Sequence, residues 1–512
     1  VLLDAGDRLG DPPAPEAVAV DDLLRRRTWR ELADRVAQVA TWLREDQGLR
    51  PGDHLAMVMG NRVEFVELVL GSLLAGVWLT PINWHLTADE ASFIVGDCGA
   101  QLVVADPEFE AMARAAAGEC PVVVAGEELD SALEALSPVA NGDLDAGGPA
   151  GGNMFYTSGT TGRPKGVKRT AQPTVRQQLR SLARGGRVVG LDGTGPHLVT
   201  GPLYHAAPVG FAVMDLLNGA PLVLMPRWDP ATALRLIEER SIRHTHVVPT
   251  MFVRLLRLPD EVRERFDPSS LSLVLHGAAP IAPSVKRQMI EWWGPVLVEY
   301  WGASESGVVT LVDSADWLAH PGTVGRAIPA YEVYAGDPEG NPLPAGTEGT
   351  LWCRSAGGTQ VFSYHNAPDK TASVHAGPGT YTIGDIGYVD ADGWVYLSDR
   401  AAHTIISGGV NIYPAEVEAV LVEHPAVVDV AVFGIPHDEW GEEVKAAVEL
   451  ADGITPTPEL ETEIIAFARE RLAGFKVPRS IDFEPELPRH PTGKLYVRQL
   501  RDRYWSGRDR RI

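Results

Sequence analysis

Residues 156–166 read Tyr156-Thr157-Ser158-Gly159-Thr160-Thr161-Gly162-Arg163-Pro164-Lys165-Gly166, a run of hydroxyls and glycines with one lysine near its end. A loop that grips phosphate needs backbone N–H groups able to turn toward an anion, hydroxyls as further donors, and a cation. Gly159, Gly162 and Gly166 let the backbone approach closely, Ser158, Thr160 and Thr161 add donors, and Lys165 adds charge. The pattern differs from the Walker A loop, because proline precedes Lys165 and neither serine nor threonine follows it. Further along, Glu299-Tyr300-Trp301-Gly302-Ala303-Ser304-Glu305 joins flat aromatic faces to a hydroxyl and a carboxylate. Such faces suit a purine, and a hard carboxylate oxygen suits Mg2+.

These stretches resemble the adenylate-forming superfamily, which includes acyl-CoA synthetases, firefly-type luciferases and nonribosomal-peptide adenylation domains. The resemblance runs from about residue 28 to residue 500, with the motifs in the family's order. It implies that Thr157, Ser158, Gly159, Thr160, Thr161, Gly162 and Lys165 hold the β- and γ-phosphates of ATP. It implies that Tyr300, Trp301 and Gly302 border adenine, that Ser304 meets the α-phosphate, and that Glu305 serves Mg2+. Trp301 stands where relatives usually carry tyrosine, which keeps a stacking face and loses the phenol. Gly277-Ala278-Ala279-Pro280 matches the small-residue loop lining the nucleotide and acyl site. Asp385, in Tyr381-Thr-Ile-Gly-Asp385, matches the ribose-binding aspartate, whose two oxygens suit two adjacent hydroxyls.

The same resemblance makes Asp399 a hinge, sends Arg400 to ribose or phosphate, and places Gly408 and Gly409 along a pantetheine tunnel, where a side chain would block the channel. Ala401, Ala402 and His403 replace charged residues frequent near that hinge. Lys494, in Pro488-Arg-His-Pro-Thr-Gly-Lys494, matches the lysine that stabilises charge developing between carboxylate and α-phosphate. His205 matches a position bordering the acyl site, with a packed core histidine as the alternative. Trp440, with Phe475 and Lys476, matches a face meeting the nucleotide of CoA, with plain core as the alternative.

The elements that position these residues alternate between strand-like and helical runs. Thr28 is a plausible N-cap for a helix over 28–45, His54–Met59 reads as a buried strand, Asn61–Leu74 as an apolar helix and Val77–Thr80 as a strand. A second alternating stretch spans about 197–315, and short runs with glycine turns over 321–398 read as a β-rich unit. The expected fold is therefore α/β. A large N-terminal domain (1–399) has two α/β subdomains and a β-rich subdomain, and a small mobile α+β C-terminal domain (400–512) carries Lys494.

Composition narrows the class. The chain has 512 residues, 45% hydrophobic and 22% charged, with a net charge of −23, which argues against general nucleic-acid binding. No secretory signal and no membrane-spanning run is visible, and three widely spaced cysteines fit a reducing cytoplasm. Only seven lysines occur, so a lysine inside a motif is informative, because an ammonium is a point charge that guanidinium does not mimic.

The expected function is ATP-dependent activation of a hydrophobic carboxylic acid to acyl-AMP, followed by transfer to CoA. Small-molecule acid, ATP and CoA are the expected partners, and a soluble homodimer would accord with the symmetry of most soluble oligomers. The catalytic residues expected are Lys494, Glu305 and His205. The acyl wall is expected near 205–211, 246–252, 276–279 and 302–309. CoA is the expected thiol, since no carrier-protein domain is expected in the fewer than twenty residues after Lys494, and loading of a separate carrier protein is the runner-up. A luciferase-type oxygenase and an inactive nucleotide-binding regulator are further alternatives, the latter opposed by the intact Lys494, Glu305 and Asp385.

Overall fold

The computed structural model describes residues 13–136, 149–157, 164–400, 405–407, 410–437, 440–489 and 495–505. Thr28 caps the helix Trp29–Thr41 reciprocally: its hydroxyl accepts from Glu31 N–H, and the Glu31 carboxylate accepts from Thr28 N–H. The buried stripe Trp29, Leu32, Val36 and Val39 then packs in one core with the helix Val63–Ala75. That second helix is apolar on nearly every side because it is buried on nearly every side. No described helix is long and apolar enough to cross a membrane.

Three sheets organise the chain. The first has seven strands, in which His54–Val58 is flanked by Trp78–Pro81 and Ala100–Ala105 in parallel. Gly152–Thr157 joins parallel to Trp78–Pro81, and then Lys165–Arg169 turns back antiparallel, with Thr157 opposite Lys165. The two strands read from the sequence around the phosphate motif thus pair as a hairpin, with Phe362–Tyr364 paired beyond Lys165–Arg169 at the sheet's edge.

The second sheet has fourteen strands. Its parallel middle comprises Leu222–Leu224, His197–Val199, His244–Val247, Leu273–His276 and Leu297–Ala303. On one side it runs on without a break into the antiparallel strands of the β-rich stretch. The second α/β subdomain and the β-rich subdomain therefore share one sheet. At the other end the first hairpin of the chain, Val18–Asp21 with Arg26–Thr28, pairs with Leu222–Leu224 and not with its sequence neighbours.

The third sheet, of five strands, lies in the small C-terminal region, where Val427–His437 and Gly441–Leu450 form its long antiparallel pair. Contacts with the rest of the chain include Arg257, which donates to the carbonyls of Val427 and Val428, and Glu348, which accepts from Tyr413.

Open parallel sheets leave a crevice beyond the carboxyl ends of their strands. In the second sheet those ends lead into 200–205, 248–251, 277–280 and 302–306. The helix Ala206–Asn218 starts at this edge and is tied near its far end, at the amino ends of two strands, by Asp215, whose Oδ2 meets Nδ1 of His197 at 2.9 Å and Nδ1 of His244 at 2.8 Å. Burial pushes the Asp215 pKa upward, but the two imidazoles outweigh it and leave the carboxyl below its usual range. A buried carboxylate thus ties this helix to two adjacent strands.

Candidate active site

A cavity of about 830 Å3 lies between the phosphate hairpin of the first sheet and the strand ends of the second. At one end stand Thr157, Lys165, Lys370, Tyr364 and residues 302–307, the turn that carries Ser304 and Glu305. At the other end the wall is largely apolar, with Phe211, Met214, Val189, Met251 and Leu73 among its residues. One enclosure therefore joins a cationic, hydroxyl-lined end to a greasy one.

The polar end is built from the strand Leu297–Ala303 and its return, Gly307–Asp313. Glu299, read as part of the aromatic motif, turns away from the cavity and pairs with the buried Lys286 at 2.5 Å, anchoring the strand to the helix Pro283–Trp293. Beyond it, Gly302 is a position where backbone meets backbone: a Cβ there would lie 2.0 Å from the Gly307 carbonyl oxygen. The turn is closed by Ala303 N–H donating to the Ser306 hydroxyl at 3.1 Å, and Arg169 reaches over to donate to the Ser306 carbonyl.

Glu305 is only 9% exposed, and its Oε1 accepts from the Tyr364 hydroxyl at 3.0 Å. It has no ion-pair partner among the described residues, although it borders the cavity. A nearly buried carboxylate with a neutral donor and no counter-cation suits Mg2+, which is commonly held by one or two carboxylates together with substrate phosphates. No cluster of three or more His, Cys, Asp or Glu side chains able to hold a metal occurs among the described residues.

Trp301 behaves differently from expectation. Its ring packs in the core with Val167, Val309 and Tyr381, is 5% exposed, and is not among the residues lining the cavity. Its indole N–H donates to Oδ2 of Asp385 at 2.7 Å, so the sequence's candidate adenine partner orients its candidate ribose partner. Thr382, Ile383 and Gly384, just before Asp385, do line the cavity, and the aromatic rings that border it include Tyr300, Tyr331 and Tyr364. Trp301→Phe keeps a ring but deprives the buried carboxylate of this donor, which costs about 1–3 kcal/mol. We expect a lower melting temperature together with weaker AMP binding. A variant matching the parent in both measurements would dismiss the orienting role.

The apolar end contains a ring cluster. Phe211 meets Tyr300 edge-on at 5.2 Å, and the Tyr300 hydroxyl is hydrogen-bonded to Nε2 of His246 at 3.0 Å. Burial, with a contribution from His197, drives the His246 pKa down to about 3, so the ring stays neutral. Below the ordinary histidine range the unfolded chain takes up a proton that the folded site refuses. His246 therefore contributes stability above about pH 6.5 that is lost as pH falls toward its folded value. His205 also borders the cavity, as the cap residue before the helix Ala206–Asn218, and its ring packs on Tyr204.

Of the small-residue loop, Ala278 lines the cavity with φ at +67°, a left-handed conformation uncommon outside glycine. Gly277 is needed for close packing, since a Cβ would lie 2.6 Å from the Tyr300 carbonyl oxygen. Ala279 and Pro280 are not among the lining residues. Trp440 lies apart on the C-terminal region, stacked on His437 at 4.4 Å with the Arg479 guanidinium 4.8 Å from its ring centre. Ser158, Gly159, Thr160, Thr161, Gly162, Gly408, Gly409 and Lys494, together with the Arg400 side chain, lie outside the described residues.

Three contributors escaped the sequence reading. Tyr364 and Lys370 come from a strand and short helix far from any motif, and the helix Val175–Val188 supplies Gln178, Ser181, Leu182 and Gly185 to the wall. The lysine scarcity was a usable signal for Lys370, and nothing local marked the other two.

The fold and this site define an adenylate-forming enzyme, and the chain belongs to that superfamily in its acyl-CoA synthetase branch. The family described as AMP-binding enzyme matches residues 12–363, and the AMP-binding enzyme C-terminal domain matches residues 416–494. The chain is 34% identical to a feruloyl-CoA synthase of Amycolatopsis sp over 497 residues, covering 96% of each protein. It is 33% identical to the long-chain-fatty-acid–CoA ligase FadD13 of Mycobacterium tuberculosis, covering 92% of each. Among solved structures, ATP-bound MatB from Rhodopseudomonas palustris superposes with a TM-score of 0.83 at 28% identity, covering 98% of each chain.

Proposed function

We propose that the protein activates an apolar carboxylic acid by adenylation with MgATP and then transfers the acyl group to CoA. The observation that carries this reading is the single cavity whose cationic end, Lys165 and Lys370 beside Glu305, opens into an apolar end around Phe211, Met214 and Met251. The ring cluster of Phe211, Tyr300 and His246 favours an aryl acid over a flexible chain, because flat faces stack best on flat faces.

In the first half-reaction a carboxylate oxygen attacks the α-phosphorus, the bond to the β-phosphate breaks, and pyrophosphate leaves. Lys165 and the hydroxyls of the 157–161 segment would hold the triphosphate, Asp385 the ribose, and Lys494 the charge developing at the α-phosphate. Magnesium bound by Glu305 would neutralise triphosphate charge during this step. In the second half-reaction the CoA sulfur attacks the activated carbonyl, the acyl–oxygen bond breaks, AMP leaves, and the thiol proton passes to water. We place the domain boundary at Asp399, so that the C-terminal domain turns about it between the two steps, withdrawing Lys494 and presenting Gly409.

The test is mass spectrometry after incubation with MgATP, CoA and a pool of carboxylic acids weighted toward aryl and alicyclic members. An acyl-CoA product is the expected result and identifies the acid. Acyl-AMP without thioester would redirect the acceptor to a carrier protein. Absence of both across the pool would overturn the enzyme reading.

A further inference from the structure

We propose that Lys370 is a second cation for the β- and γ-phosphates of the nucleotide, acting with Lys165 across the polar end of the cavity. The inference rests on the adenylating function argued above and adds a binding residue that no motif contains. Lys370 and Lys165 both line the cavity, and neither ammonium makes an ion pair or hydrogen bond among the described residues. In a chain with 68 acidic residues against 45 basic ones, a half-buried Lys165 and an exposed Lys370, neither with a carboxylate partner among the described residues, border one enclosure, an arrangement that suits an anion. Lys370 is near enough for its charge to act on Lys165, whose pKa is lowered first by burial and further by Lys370.

The placement of Lys370 is firm although it lies on a six-residue helix, Pro368–Ser373. The Thr371 hydroxyl accepts from Tyr364 N–H at 2.9 Å and donates to the Ala367 carbonyl at 3.0 Å, stapling the helix to the strand Phe362–Tyr364. The turn between them is tied to the first sheet's helices by Asn366, whose side-chain amide donates to the Asp97 carbonyl at 3.0 Å. Tyr364, on that strand, is also the residue whose hydroxyl holds Glu305. One strand-turn-helix unit therefore sets both the carboxylate suited to magnesium and the lysine opposite Lys165.

The charge pattern selects the ligand. Two ammonium groups beside the hydroxyl-bearing Thr157, Ser304 and Tyr364 match an anion with several negative charges. The substrate acid has one carboxylate and an apolar body that fits the other end of the cavity. A polyphosphate, whether the tail of ATP or free pyrophosphate, meets the requirement, and AMP does not reach it.

The experiment is isothermal titration of the full-length protein, Lys370→Gln, Lys370→Arg and Lys165→Gln with MgATP, magnesium pyrophosphate and AMP. Lys370→Gln should weaken MgATP and pyrophosphate about tenfold while AMP changes less than about twofold, as expected for loss of a charge-assisted contact at a partly exposed site. Lys370→Arg should recover most of the lost affinity, and the salt dependence of MgATP binding should flatten in the glutamine variant. Unchanged MgATP affinity in Lys370→Gln, or equal weakening of MgATP and AMP, would overturn the proposal, the latter by revealing a purely structural role. If the parent protein bound neither MgATP nor AMP, the nucleotide-dependent function itself would fall.

Discussion

Lys494→Ala is expected to reduce acyl-adenylate formation by about 10²–10³-fold, the usual effect of removing one preorganised charge from a transition state. Affinity for MgATP should change little, because a cation that meets charge only as it develops contributes to the transition state and not to ground-state binding. The chain around this lysine is anchored on both sides. Arg489 bridges to Leu495, Tyr496 N–H donates to the Pro488 carbonyl at 2.7 Å, and the Arg489 guanidinium pairs with Asp429 of the C-terminal sheet. Loss of the ammonium should therefore leave the domain folded. ATP–pyrophosphate exchange reads the first half-reaction, and CoA with pre-formed acyl-AMP reads the second, which should survive. Exchange at the parent rate would remove Lys494 from the mechanism.

Gly302→Ala should lower adenylation at least about 10²-fold through displacement alone, since misplacement of about 1 Å is enough to cost that much. The added methyl would sit 2.0 Å from the Gly307 carbonyl oxygen and 3.1 Å from Val308 Cα. These are backbone atoms of the paired return strand, so no rotamer change can relieve the contact, and the turn bearing Ser304 and Glu305 must move. Overpacking of this kind also costs about 1–3 kcal/mol of stability. A thermal melt separates the two effects. A large activity loss at a temperature well below the melting point is expected, and a variant with parental kcat/KM would show that the turn is not held as tightly as the geometry requires.

How much of this was legible beforehand differs from residue to residue. The Thr28 cap, the strand at His54 and the hairpin around the phosphate motif were readable because capping, strand alternation and tight turns depend on neighbours in the chain. That the second α/β stretch and the β-rich stretch of 197–398 share one sheet was not legible, because a parallel strand pattern followed by an antiparallel one carries no mark saying whether the sheet is broken or continuous. Trp301 shows the same limit at a single side chain. Its type was informative, but whether the indole N–H faces a ligand or Asp385 depends on a residue 84 positions away.

The superfamily, the order of the motifs and the chemistry each motif could perform were determined by the sequence alone, because contiguous hydroxyls, glycines, carboxylates and lysines carry their chemistry wherever the chain takes them. Tertiary structure decided which of these share an enclosure, and which residues outside the motifs join them. Tyr364 reaches Glu305, Lys370 faces Lys165, and the helix Val175–Val188 completes the wall only because two sheets meet with their strand ends and hairpin turned toward one crevice. That meeting is set by long-range strand pairing and burial, and the energies that fix it are spread over the whole core and not written in any one stretch of sequence.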